Sequence, residues 1–206
     1  MEIKRFVLGS YQTNCYALSG TDFAAVIDPA FYEGELVNFV KENKDKKHKY
    51  ILLTHCHIDH ILGVNAVKAE WDCSVMASKH AAQNLKNPNT NLSLMFLGEP
   101  FVIEPDVVLN NNQKIDFGGQ ELTVIETPGH TNGSVCFLMD NVIFSGDTLF
   151  LGTIGRTDFA TADYSEMLKS LKLLANLKGD YIVYSGHGPK TTLNFERENN
   201  YYLRTV

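Results

Sequence analysis

The chain has 206 residues, of which 44% are hydrophobic and 20% charged, with a formal net charge of −6. That length supports a substantial core, the expected organisation is a single domain over residues 1–206, and no apolar run is long enough to span a bilayer. The acidic balance argues against nucleic-acid binding by electrostatics.

Residues 1–10 lack the basic leader, long apolar stretch and small-residue cleavage site of a secretory signal, so a cytoplasmic location is expected. Alternating apolar residues predict strands near 3–8, 15–19 and 24–27, and helical spacing follows over 34–42. The stretch 41–49, KENKDKKHK, mixes both charge signs and reads as the exposed end of that helix. An apolar strand at 50–53 then runs into T-H-C-H-I-D-H, residues 54–60.

Three imidazoles and a carboxylate within seven residues read as a metal site. On extended chain His55 and His57 face the same way while Cys56 points inward and packs. Asp59 and His60 fall where the chain turns into the helical pattern His60, Ile61, Val64, Val67, Lys68. That change of direction lets them reach a second position beside the first.

Further along, a strand is expected at 74–77 and a helix at 79–85. Residues 87–105 read as an irregular loop, either lining a site mouth or packed on the surface. Strands follow near 114–117, 122–125, 135–139 and 142–145. Met167, Leu168, Leu171, Leu174 and Ala175 give a helix over 164–177 its core face, and 194–203 reads as a closing helix.

Three later segments share one plan, in which an apolar run ends in glycine and a ligand-type side chain follows. Residues 124–129 lead to His130, 142–146 to Asp147, and 181–186 to His187. Glycine permits the backbone departure a loop over a sheet edge requires. Five histidines and two aspartates then supply two sets of three ligands with one carboxylate left to span both cations. His48 and His80 lack such context and read as surface residues. Cys15, Cys56, Cys73 and Cys136 have no C-x-x-C spacing and read as reduced, mainly buried thiols.

With these residues laid out, the chain resembles the metallo-β-lactamase superfamily, whose T-H-x-H-x-D-H, followed by separated His, Asp and His, is matched at 54–60, His130, Asp147 and His187. Within it, the chain is most similar to short glyoxalase II-like hydrolases. T-N-C-Y at 13–16, T-P-G-H-T at 127–131, S-G-D-T-L-F at 145–150, G-R-T-D-F at 155–159 and S-G-H-G-P at 185–189 carry that likeness, with F-E-R-E-N-N-Y-Y-L at 195–203.

The resemblance implies an α/β fold, the four-layer αβ/βα sandwich, without the added C-terminal helical region that binds glutathione in full-length relatives. It assigns His55, His57 and His130 to one metal, Asp59, His60 and His187 to the other, and Asp147 as the bridge, with Asp59 also counted as catalytic. The implied cofactors are two divalent ions, zinc first, with iron or manganese compatible. The implied reaction is hydrolysis of a small, anionic acyl thioester by a hydroxide shared between the metals. Thr54 and Thr131 are expected to support the ligands. Arg156 is expected to contact substrate or to pair with Asp158. Two rival readings are a persulfide dioxygenase holding one iron on His55, His130 and Asp147, and a non-catalytic metal-stabilised binding module.

Overall fold

The computed structural model describes residues 1–117 and 119–206. Six strands build the first sheet in sequence order: β1 (Glu2–Leu8), β2 (Thr13–Ser19), β3 (Phe23–Ile27), β4 (His48–Leu52), β5 (Ser74–Ser78) and β6 (Val107–Leu109). β1 to β3 pair antiparallel, whereas β3 to β6 run parallel. Parallel neighbours need crossovers. These are supplied by α1 (Gly34–Glu42), by α2 (Ile58–Ile61) with α3 (Val64–Glu70), and by α4 (Lys79–Asn84) with α5 (Ser93–Leu97).

The second sheet begins with the meander β7 (Lys114–Asp116), β8 (Glu121–Glu126), β9 (Val135–Met139) and β10 (Val142–Gly146). A separate hairpin follows, β11 (Leu149–Phe150) with β12 (Thr153–Ile154). Helix α6 (Tyr164–Ala175) then crosses back so that β13 (Ile182–Ser185) lies parallel to β10, with β14 (Thr191–Thr192) at the edge. Helices α7 (Leu193–Asn199) and α8 (Tyr201–Arg204) close the chain.

Alternate residues of each strand face opposite sides, and both sides of both sheets are covered. Leu18, Ile27, Leu52, Val124, Phe137 and Phe144 fill the space between the sheets. Val26, Ile51 and Val75 pack outward against Leu36, Ile61 and Val67 of the first helices. Cys136, Ile143 and Val183 pack against Met167, Leu171 and Leu174 of α6. The result is the αβ/βα order of four layers. Truncating Phe137 or Phe144 to alanine would cost about 3–5 kcal/mol through lost burial and the cavity left behind.

The structure differs from the sequence expectation in several places. The helix expected from His60 onward breaks at Leu62-Gly63 into α2 and α3, because Gly63 presses on the Pro29 carbonyl where a Cβ would sit 2.6 Å away. The closing helix breaks at Asn200, whose side chain caps α8 by accepting from Tyr202 N–H while its amide donates to Glu196 and to the Thr153 carbonyl. The charged stretch 41–49 is not all helix end, since His48 and Lys49 open β4. Strands β6, β11, β12 and β14 are too short to carry a periodic signal. Among the described residues, no helix is long and apolar enough to cross a membrane.

Candidate metal centre

Strand ends from both sheets meet at one edge, and each delivers donor side chains. The segment after β4 is tied to both sheets before it turns into α2: Leu53 N–H donates to Met76, and the Thr54 carbonyl accepts from Val135 N–H at 2.8 Å. The chain around Cys56 then alternates as expected, leaving Cys56 fully buried. Burial pushes its thiol up to about 12, so no thiolate is available near neutrality. Asp59 and His60 lie on the first turn of α2.

The second sheet supplies the rest. His130 sits in the turn between β8 and β9, where Thr127 N–H donates to the Ser134 carbonyl at 2.9 Å. Thr131 does not support a ligand side chain as expected; its hydroxyl pairs with Ser134 Oγ and accepts from Gly133 N–H, bracing the turn. Gly146, at φ +48°, opens the turn to Asp147, and a Cβ there would lie 2.4 Å from Thr54 Oγ1. Gly186 is needed for space instead, because a Cβ would fall 2.2 Å from Asp147 Oδ1 and 2.7 Å from His60 Cε1.

His187 follows Gly186, and the T-N-C-Y segment of β2 fixes it. Asn14 N–H donates to the Gly186 carbonyl at 2.7 Å, and its side-chain amide donates to the Ser185 and Gly188 carbonyls, both at 2.8 Å. The Tyr16 hydroxyl donates to Ser185 as well.

All seven expected donors come together. His55, His57 and His130 form one cluster and Asp59, His60 and His187 another, the donor atoms of each lying within 4.8 Å of one another. His57 Nδ1 is 2.8 Å from His130 Nε2, and His60 Nε2 is 3.3 Å from His187 Nε2. Asp147 reaches both clusters, with Oδ2 3.6 Å from His130 Nε2 and from His187 Nε2, and Oδ1 3.4 Å from His60 Nε2. Two donors on one tetrahedral ion at about 2.0–2.1 Å stand about 3.3 Å apart, close to these separations.

Three histidines turn a ring nitrogen inward because their other nitrogen is engaged. His130 Nδ1–H donates to the Arg156 carbonyl at 2.8 Å, and His60 Nδ1–H to Asp28 Oδ2 at 3.0 Å. Thr54 Oγ1–H donates to the same Asp28 oxygen at 2.5 Å, so it accepts from His55 Nδ1–H at 3.1 Å. Buried His55 Nε2 and Asp147 Oδ1 have no hydrogen-bond partner among the described residues. Buried polar atoms are normally satisfied, so these orphaned atoms at the convergence fit the donor set of a pair of cations.

Burial first, and then neighbouring imidazoles, hold His55 well below its usual range and His57 down to about 3, so both stay neutral. Burial also works against charge on His60 and His187, but carboxylates outweigh it and raise both: Asp147 and Asp59 at His60, Asp59 and Asp147 at His187. Asp59 and Asp147 are held low, with His60 chief among the groups that overcome their burial.

Asp28 is the functional residue the sequence reading missed. It is 2% exposed, sits at φ +50° after β3, and accepts from the Thr54 backbone N–H as well. Its sequence signal, a lone acid before proline at a strand end, is that of an ordinary turn.

A cavity of about 370 Å³ opens over the donors, lined also by Tyr11, Leu92, Phe96, Phe150, Arg156 and Phe159. Arg156 forms a two-pronged ion pair with Asp158 at 2.6 and 2.7 Å and lies 4.1 Å over the Phe159 ring. It therefore both stiffens its loop and lines the cavity. The loop 87–105 is not wholly irregular, since α5 lies within it and brings Phe96 to the site mouth. His48 and His80 are exposed, as expected.

The family profile of the metallo-beta-lactamase superfamily matches residues 8–187. The chain belongs to that superfamily. It is 31% identical over 212 residues to the hydroxyacylglutathione hydrolase GloC of Haemophilus influenzae, a match covering 100% of this chain and 99% of that one. Among solved structures it is similar to the BLEG-1 B3 metallo-beta-lactamase, with a TM-score of 0.87 and 35% identity over 98% of this chain and 99% of that one. It is also similar to TTHA1623 in a di-iron-bound form, with a TM-score of 0.83 and 30% identity over 97% and 99% of the two chains. In general terms the protein is a metal-binding enzyme of the metallo-hydrolase type.

Proposed function

We propose that this protein is a two-metal hydrolase of small acyl thioesters, acting in the cytoplasm as a single domain. His55, His57 and His130 would hold one cation and Asp59, His60 and His187 the other, with Asp147 between them. The observation that carries this reading is the pair of adjacent donor triads with one carboxylate reaching both. Zinc is the cation proposed, although the imidazole and carboxylate donors also suit iron or manganese. The relative named for hydroxyacylglutathione hydrolysis supports the thioester as the bond cleaved.

When bound, two such ions polarise a carbonyl and lower the pKa of a water so that hydroxide forms near neutral pH. The chain's own groups do the rest. Asp28, directly and through Thr54, fixes the tautomers of His60 and His55, and the Arg156 carbonyl fixes that of His130. Asp59 is half-buried at the cavity floor, with Oδ2 3.3 Å from His187 Nε2, where it can orient an attacking water. Water oxygen joins the acyl carbon, the carbon–sulfur bond breaks, and a carboxylic acid and a thiol leave. Cys56, the thiol between His55 and His57, does not serve as nucleophile, since it is buried in its protonated form.

Metal analysis together with a substrate screen tests the reading. We expect about two divalent ions per chain and turnover of thioesters such as S-lactoylglutathione. About one iron per chain, with oxygen consumed alongside glutathione persulfide and thioesters untouched, would replace it with the dioxygenase reading.

A further inference from the structure

We infer that the substrate group read beside the metal donors is apolar: an aliphatic or aryl acyl chain on an uncharged thiol carrier, seated on a rim of Tyr11, Phe96, Phe150 and Phe159. This inference rests on the hydrolase reading above and deepens it.

Above the donor floor the cavity is aromatic. Phe159 stands edge-on to His57 with ring centroids 5.2 Å apart, and Phe150 edge-on to His187 at 6.1 Å. Tyr11 and Phe96 meet edge to face at 5.6 Å, yet they remain 41% and 42% exposed. Exposed rings beside a polar centre are the usual form of a small-molecule site that buries an apolar group.

The rim is built rather than incidental. Helix α5 starts from Leu92 at φ +68°, and two fully buried polar residues hold its base. Asn91 donates to the Leu85 and Phe101 carbonyls, its own carbonyl accepts from Ile58 N–H on α2, and Ser93 Oγ accepts from Phe101 N–H. Phe96 is thereby indexed to the helix that carries Asp59 and His60.

Charge points the same way. Arg156 is the one Lys or Arg among the lining residues, and both prongs of its guanidinium are committed to Asp158. The carboxylates of a peptide thiol carrier such as glutathione therefore find in the lining only a cation already paired with Asp158. Negative charge is favoured at the reacting group by the metal centre, and apolar character away from it by the rim.

The test uses metal-loaded protein and N-acetylcysteamine thioesters bearing acetyl, butanoyl, hexanoyl and phenylacetyl groups, compared with S-lactoylglutathione. Burial of each added methylene should raise kcat/KM about fourfold from acetyl to hexanoyl. The hexanoyl-to-acetyl ratio should shrink at least about fivefold in Phe96→Ser and in Tyr11→Ser, which sit on separate segments. A flat series, or S-lactoylglutathione outpacing the hexanoyl compound, would overturn the rim assignment while leaving the hydrolase reading in place. If no thioester is turned over, the hydrolase reading falls, and calorimetry with the unreactive S-butyl and S-hexyl thioethers decides the rim on its own. Tighter binding of the hexyl compound, weakened in Phe96→Ser, supports it; equal or absent binding overturns it.

Discussion

Oδ2 of Asp28 lies 3.0 Å from Nδ1 of His60, with both side chains buried. The same oxygen takes the Thr54 hydroxyl, so one carboxylate orients two imidazoles in different donor clusters. Replacing it with alanine strands the Thr54 backbone N–H and the His60 ring N–H. We expect Asp28→Ala to lose about 1–3 kcal/mol of stability and about 10- to 100-fold in metal affinity. Thermal melts and metal titration of the same preparation check both.

Among the described residues the His57 side chain makes no hydrogen bond outside the donor cluster, and its Nε2 is unpartnered. His57→Ala should therefore keep the fold while lowering turnover by more than about 100-fold, the upper end of what supporting residues alone achieve. Circular dichroism beside steady-state rates measures this, and full activity in the variant would refute the role assigned to His57.

Gly186 packs directly against the carboxylate of Asp147. A methyl group at Gly186 would meet Asp147 Oδ1 at 2.2 Å and His60 Cε1 at 2.7 Å. Gly186→Ala should cost about 1–3 kcal/mol through overpacking and reduce the number of ions retained per chain. Metal content after dialysis reads the second effect.

The two clusters should respond differently to acid. His60 and His187 have raised pKa values without metal, so near neutrality an incoming cation must displace protons from them, and affinity there falls as pH falls. His55 and His57 are held neutral, His57 down to about 3, and impose no such competition until far lower pH. Titrating the loaded protein downward from neutral pH should release the ion at Asp59, His60 and His187 first. Site-resolved metal spectroscopy would record the order, and simultaneous loss would contradict it.

Cys56 neighbours two donors yet should be chemically silent. Its thiol is buried, and burial pushes it up to about 12. Thiol-alkylating reagents should leave activity intact in native protein and modify Cys56 only after unfolding, as peptide mass analysis would show.

The seven donors were legible because the chemistry forces dense or repeated local patterns: three imidazoles in seven residues, and glycine before each later donor. The strands that present them were legible too, since β4, β8, β10 and β13 each carry an apolar run just ahead of a donor segment. What escaped depends on distant contacts. Asp28 acquires its role only when β3 and β4 pair and bring Thr54 and His60 to it. The break between α2 and α3 comes from Gly63 meeting Pro29, and the break at Asn200 from its reach to Thr153. Helix α5 is short and opens in a left-handed conformation, which no periodicity reveals.

Each donor triad draws two members from the first half of the chain and one from the second: His55 and His57 with His130, Asp59 and His60 with His187. An ion seated in either triad is consequently a clasp between the two halves, fastening them at one lip while the apolar interior joins them behind. Resistance to unfolding then becomes a function of free metal concentration, rising logarithmically with it. A cell short of the ion would hold not merely an idle catalyst but a looser molecule, ajar along that lip.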